Sequence, residues 1–162
     1  MFVLPVGDNA NEIVPGLWLG NGKAALDEKF LREKNIKVIF NCTKDIPFHQ
    51  SMKRCYRVPV DDNLQAQEIR NMELWSFEIV ARLAQEYRSG LHVLVHCAAG
   101  MQRSAAVVAM FLIGTQRITT EQAITYIQKK RPIAFMPMAN FAPAIRGFEE
   151  AVQKFLMDQE NS

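Results

Sequence analysis

Apolar residues recur along this chain in two rhythms, and their order predicts the order of its elements. Short runs of strand length are Ile13 to Leu19, Lys37 to Cys42, Arg54 to Val60 and Leu91 to His96, the last three rich in the β-branched and aromatic side chains that suit a pleated surface. Between Gln67 and Tyr87 the rhythm is helical: Ile69, Met72, Trp75, Ile79, Val80, Leu83 and Tyr87 lie on one stripe, and Ser89-Gly90 supplies the stop. One long amphipathic helix is expected there, and a shorter one near Ala24 to Lys34. Arg103 to Gln116 is apolar on every side, so its helix must be nearly buried. Thr119 and Gln122 have the spacing of a capping box for a helix to Lys130. After Asn140 a final helix aligns Phe141, Ile145, Phe148, Val152 and Phe155 on one face, with Pro143 tolerated in its first turn. Strands alternating with helices predict an α/β fold, with a mainly parallel central sheet covered by helices on both faces.

Composition adds limits. A chain of 162 residues, 49% hydrophobic and 22% charged, fits one globular domain over 1–162 with its core at about 12–155. Neither a repeat nor a linker-like tract divides it. Folding at this length buries roughly two thirds of the unfolded surface, so neither a disulfide nor a metal is needed for stability. Cys42, Cys55 and Cys97 are odd in number and contain no C-x-x-C pair, which excludes a disulfide framework and a zinc site. A reducing intracellular compartment follows, and a cytoplasmic location is expected, with the nucleus as the alternative. The start, Met1 to Gly7, has no basic residue and is broken by Pro5, unlike a signal peptide, and Phe2 excludes N-myristoylation. The longest apolar run, Ala105 to Gly114, falls short of the ~18 residues of a membrane span. No membrane partner is expected. A net charge of +2 is too weak for a nucleic-acid partner, and the one basic triplet, Lys129-Lys130-Arg131, reads as a solvated helix end where cations suit the macrodipole.

The chemistry concentrates in His96-Cys97-Ala98-Ala99-Gly100-Met101-Gln102-Arg103-Ser104. A thiol at a strand end and a guanidinium at a helix start, five small or neutral residues apart, make an anion cradle. Backbone N–H groups of Ala98, Ala99, Gly100, Met101 and Gln102 can converge on one centre, and the following helix adds the positive end of its dipole. Gly100 permits the tight path, and Arg103 grips two oxygens with a planar fork. The same field lowers the pKa of Cys97, making a thiolate nucleophile that can form a cysteinyl-phosphate. Ser104 is placed for its hydroxyl to bond the sulfur and ease its departure, and His96 to orient the loop by bonding to the loop's backbone. Taken singly, each residue has a bland reading as core cysteine, surface charge, turn or cap. Five fixed residue types at fixed spacing between an apolar strand and an apolar helix favour the functional one.

At these residues the chain resembles the protein tyrosine phosphatase superfamily, whose signature H-C-x2-G-x2-R-[ST] is matched throughout. The wider pattern is similar to its compact dual-specificity branch, through Val14-Pro15-Gly16-Leu17-Trp18-Leu19-Gly20 and Val38-Ile39-Phe40-Asn41-Cys42-Thr43. The resemblance implies a shallow site open to phosphoserine, phosphothreonine and phosphotyrosine on protein substrates, without a cofactor. It also implies a general-acid aspartate beyond an apolar-Pro-apolar pattern. Val58-Pro59-Val60 leads to Asp61 and Asp62, and counting from Pro59 favours Asp62. Where relatives often carry Pro-Asn-x2-Phe-x2-Gln-Leu, Met138 and Ala144 stand in place of the usual Asn and Gln. Asn140 is then expected to replace the lost loop support, or to cap the helix. Some relatives pair a second cysteine with the nucleophile. Cys42 sits one residue early for this and by strand alternation points to the other face, so Cys42 and Cys55 read as core cysteines. RNA 5′-triphosphatases share the loop but often bear His and Asn where this chain has Ala99 and Gln102. Phosphoinositide phosphatases tend to place lysines in the loop, which is without them here, and a catalytically dead phospho-binding module usually lacks the nucleophile or the arginine.

Overall fold

The computed structural model describes residues 8–161, so the start read above as neither signal nor lipid anchor lies largely outside the described residues. Five strands, β1 (Ala10–Val14), β2 (Leu17–Gly20), β3 (Ile36–Asn41), β4 (Arg54–Arg57) and β5 (His92–His96), form one sheet in the order β1-β2-β5-β3-β4. The pairings β2–β5, β5–β3 and β3–β4 are parallel, and only the edge pair β1–β2 is antiparallel. The sheet is therefore mainly parallel, as expected.

The stretch Ile13 to Leu19 is a hairpin rather than one strand. Gly16, at φ +84, takes the left-handed conformation that reverses the chain, and its N–H donates to Glu12 Oε2 at 3.0 Å. β4 also stops earlier than Val60. Pro59 has no N–H for a ladder, and Val58-Pro59-Val60 leaves the sheet with both valines buried.

Helices α1 (Gly22–Ala25) and α2 (Glu28–Glu33) replace the single helix expected near Ala24 to Lys34. Asp27 causes the break: its side chain accepts the Phe30 N–H at 3.2 Å and starts a second helix instead of continuing the first. The long stripe from Gln67 likewise divides into α3 (Ala66–Leu74) and α4 (Ser76–Arg88) at Trp75, at φ −94 and ψ 0. There the Ser76 hydroxyl donates to the Glu73 carbonyl at 2.6 Å. Both segments face the core, so the apolar period runs through a break it does not reveal. The remaining helices, α5 (Arg103–Gln116), α6 (Thr120–Lys130) and α7 (Ala142–Glu160), follow the expected pattern, and the Thr119–Gln122 capping box is complete. On α7, Phe141, Ile145 and Phe148 are buried and Val152 packs against the core, but Phe155 is 58% exposed because the helix outruns the domain it packs on.

Side chains alternate across the sheet. Val38, Phe40, Val93 and Val95 point into the larger core, shared with α3 to α7, while Ile39 and Leu94 point to a smaller one under α1 and α2. Among the described residues, no helix is long and apolar enough to cross a membrane. The parallel strands β2, β3 and β5 end together, with Gly20 and Asn41 both in register with His96. In open α/β sheets the crevice beyond the carboxyl ends of the strands is where ligands bind.

Phe148 seals the larger core where α7 crosses α4 and α5: its ring lies 4.9 Å from that of Phe77, and a Cβ at Gly114 would sit 3.3 Å from it. Phe148→Ala should cost about 3–5 kcal/mol of stability, read from urea unfolding. A loss under about 1 kcal/mol would show that α7 contributes little to the fold.

Candidate active site

Past His96 the chain leaves β5, turns through six residues and enters α5 at Arg103. Gly100 sits at φ +67, and a Cβ there would lie 2.5 Å from the Gly20 carbonyl oxygen and 2.8 Å from Arg131 Nη2. Both backbone and space demand glycine. Beneath this turn lies Arg131, fully buried, donating from Nε to the Gly100 carbonyl at 2.8 Å and from Nη2 to that of Ala99 at 3.3 Å. Its Nη1 ties the turn to the Asp8 carbonyl and to Asn11 Oδ1, each at 2.7 Å. The expected solvated helix end is thus wrong for its third member. α6 stops at Lys130, and the extended Arg131 swings under the loop. Nothing in a basic triplet tells which cation turns inward.

Cys97 is 2% exposed, with its sulfur 3.1 Å from the Ser104 hydroxyl. Burial pushes the thiol up. The hydroxyl and backbone N–H of Ser104, the Arg103 guanidinium and the Gly100 N–H together outweigh it and hold the pKa below the ordinary thiol range. The attraction between Cys97 and buried Arg131 runs the same way. Arg103 donates from Nη1 to the Val60 carbonyl at 3.0 Å, while its buried Nε has no partner among the described residues. An unpaired guanidinium N–H beside a thiolate is suited to an oxyanion.

One cavity of about 280 Å³ gathers Asp62, Cys97, Ala98, Ala99, Met101, Gln102, Arg103 and Asn140, with Met136 added. Ser104 lies behind the sulfur and Gly100 forms the turn beneath. Of the two aspartates, Asp61 pairs with Lys44 at 3.0 Å, and its N–H donates to Glu68 Oε2 at 2.6 Å. Asp62 lines the cavity and accepts from Asn140 Nδ2 at 3.0 Å. Counting from Pro59 therefore picks the carboxylate that faces the sulfur's cavity.

Three expectations change. Asn140 does not cap α7, whose cap position is Phe141, and its side chain reaches Asp62 rather than the phosphate loop. His96 is buried, and among the described residues neither ring nitrogen has a partner of good hydrogen-bond geometry. Burial, opposed by the adjacent Cys97 backbone and helped by the charges of Arg57 and Arg103, pulls its pKa to about 4 and keeps it neutral near pH 7. Its carbonyl accepts the Cys42 N–H at 2.8 Å, which ties the end of β5 to the chain leaving β3 rather than to the phosphate loop. Cys42 is a buried core cysteine, but on the same side of the sheet as Cys97. Burial first, then the nearby Cys97, raises its pKa, opposed by Arg103. Strand alternation misplaces it because Cys97 already lies beyond the strand, in the turn. Cys55 is half-buried, and all three thiols are free.

The family model for the dual specificity phosphatase catalytic domain matches residues 17–151. The chain belongs to this family. The phosphatase domain is 28% identical to human dual specificity protein phosphatase 2 over 91% of its own length and 46% of the relative's. With chicken dual specificity protein phosphatase 4 it shares 30% over 87% of its length and 36% of the relative's. It thus spans less than half of these relatives. Among solved structures it superposes on human DUSP28 with a TM-score of 0.79 at 27% identity, covering 93% of this chain and 99% of that one. For DUSP15 the TM-score is 0.80 at 25% identity, covering 95% and 97%.

Removing the Ser104 hydroxyl takes away the largest single influence holding the thiol down. In Ser104→Ala of the phosphatase domain, the pH midpoint for iodoacetamide alkylation of Cys97 should move upward, so that less thiolate is present at any acidic pH. A midpoint equal to wild type would mean that the hydroxyl does not stabilise the sulfur.

Proposed function

We propose that this domain hydrolyses phosphate monoesters on tyrosine, serine and threonine of phosphorylated proteins, through a cysteinyl-phosphate on Cys97. What supports the reading is one cavity holding a thiolate-favouring cysteine, an arginine with an unpaired N–H and a carboxylate. In the first step the Cys97 sulfur attacks phosphorus, the S–P bond forms, and the bond to the leaving oxygen breaks. Asp62 gives that oxygen its proton, while Arg103 and the loop N–H groups hold the remaining oxygens as charge develops. In the second step water attacks phosphorus, Asp62 takes the water's proton, and the S–P bond breaks with Ser104 donating to the departing thiolate.

Among the described residues, Arg103 is the only cation lining the cavity, which suits a single phosphoryl group better than the extra phosphates of a phosphoinositide or a triphosphorylated RNA end. Met101 and Met136 leave the walls partly apolar, fitting the body of an amino-acid side chain. Three free thiols accord with a reducing compartment, cytoplasmic or nuclear.

A phosphate-release panel with Cys97→Ser as the blank should rank phosphotyrosine and phosphothreonine peptides above triphosphorylated RNA and phosphoinositides. The reverse order would replace the reading with one of those activities. General acid catalysis is typically worth about 10²–10⁴ in rate and matters most for basic leaving groups. Asp62→Asn should therefore slow phosphopeptides on that scale while sparing an aryl phosphate whose activated phenol leaves unaided, and Asp61→Asn should not. If Asp61→Asn alone gave this pattern, the acid would be Asp61.

A further inference from the structure

Gln102 lies in the loop that cradles phosphate, yet its side chain turns away from the sulfur. It is only 5% exposed, and its amide makes three hydrogen bonds, all to the segment after α6. Nε2 donates to the carbonyls of Met136 at 3.1 Å and Met138 at 2.8 Å, and Oε1 accepts the Asn140 N–H at 2.9 Å. Residues 136–140 form no helix or strand, so these backbone groups need partners from elsewhere. A residue with two donors and an acceptor at the end of a long stem meets the need, and serine or alanine would not.

The chain of contacts continues outward. With its backbone held by Gln102, Asn140 extends Nδ2 to Asp62 Oδ1 at 3.0 Å. Among the described residues this is the sole hydrogen-bond partner of the Asp62 carboxylate. Its neighbours are anchored separately, the Val60 carbonyl by Arg103 and Asp61 by Lys44 and Glu68, so the backbone is fixed on one side while the carboxyl group rests on Asn140. An amide N–H can donate but not accept. The carbonyl oxygen of a protonated carboxyl group is the better acceptor, so this bond favours Oδ1 without the proton and the acid proton on Oδ2.

We propose that Gln102, acting through Asn140, positions the Asp62 carboxyl group and selects the oxygen that delivers its proton. The phosphate loop and the general acid, 40 residues apart between Asp62 and Gln102, are thereby held as one unit. Gln102 and Asn140 are positioning residues, and the proposal rests on the reading of Asp62 as the acid.

The test measures kcat/KM for a phosphotyrosine peptide and for an activated aryl phosphate, and takes their ratio. Asn140→Ala and Gln102→Ala are each made alone and in the Asp62→Asn background. Each single variant should lower the ratio by about tenfold, since only the basic leaving group needs the acid. In the Asp62→Asn background neither should lower it further, because the group they position is gone. Asn140 is partly exposed and keeps its backbone in Asn140→Ala, so that variant decides the matter even if Gln102→Ala is unstable. An unmoved ratio in Asn140→Ala, or a further fall in the Asp62→Asn background, would overturn the relay. If Asp62→Asn itself leaves the ratio unmoved, the assignment of the acid falls and the relay with it; a large effect there with none in Asn140→Ala sinks the relay alone.

Discussion

A sulfur that is almost wholly buried and yet easier to ionise than an ordinary thiol is the constraint around which this domain is built. Desolvation works against charge on Cys97, and the pKa falls only because several weaker influences converge: the Ser104 hydroxyl and N–H, the Gly100 N–H and the Arg103 guanidinium. Each requires a particular backbone path within a few residues. The path cannot relax at Gly100, where the left-handed conformation and the close Gly20 carbonyl leave no room for a side chain.

The surrounding fold answers that constraint from three directions. β5 delivers Cys97 at the end of a strand flanked by β2 and β3, so the backbone before the turn is locked by the sheet. α5 is buried from Ser104 to Ile113, which holds Ser104 against the core and fixes Arg103 at the helix start. From below, Arg131 binds the carbonyls of Ala99 and Gly100. A buried guanidinium without a paired carboxylate is costly in isolation. Here its hydrogen bonds to backbone oxygens and its attraction to Cys97 counter part of that cost, though burial still pulls the guanidinium's pKa down.

The rest of the site is assembled from loops rather than from the rigid core. Asp62 stands beyond β4 where Pro59 ends the ladder, and the Met136–Asn140 segment follows α6 after Arg131 turns under the loop. Both converge on the same cavity because Arg103 grips the first through Val60 and Gln102 grips the second. Adjacent loop residues thus anchor both walls of the cavity.

Much of this was written locally in the chain. The span from His96 to Ser104 is contiguous, so its residue types and spacing carried the thiolate, the cradle and the arginine. The Thr119 capping box and the buried character of α5 were legible for the same reason, since periodicity reports burial within one element. Register from Pro59 was enough to prefer Asp62 over Asp61. Tertiary structure alone decided the breaks at Asp27 and Trp75, where a side chain competes for the backbone without disturbing the apolar period. It also decided the partners of Arg131, Gln102 and Asn140, which lie 31, 38 and 78 residues from the groups they hold. A one-dimensional pattern states that a residue is polar and near an element's end. Which distant carbonyl, N–H or carboxylate it meets depends on how the connecting turns bring separate elements together, and that is settled only when the whole core packs.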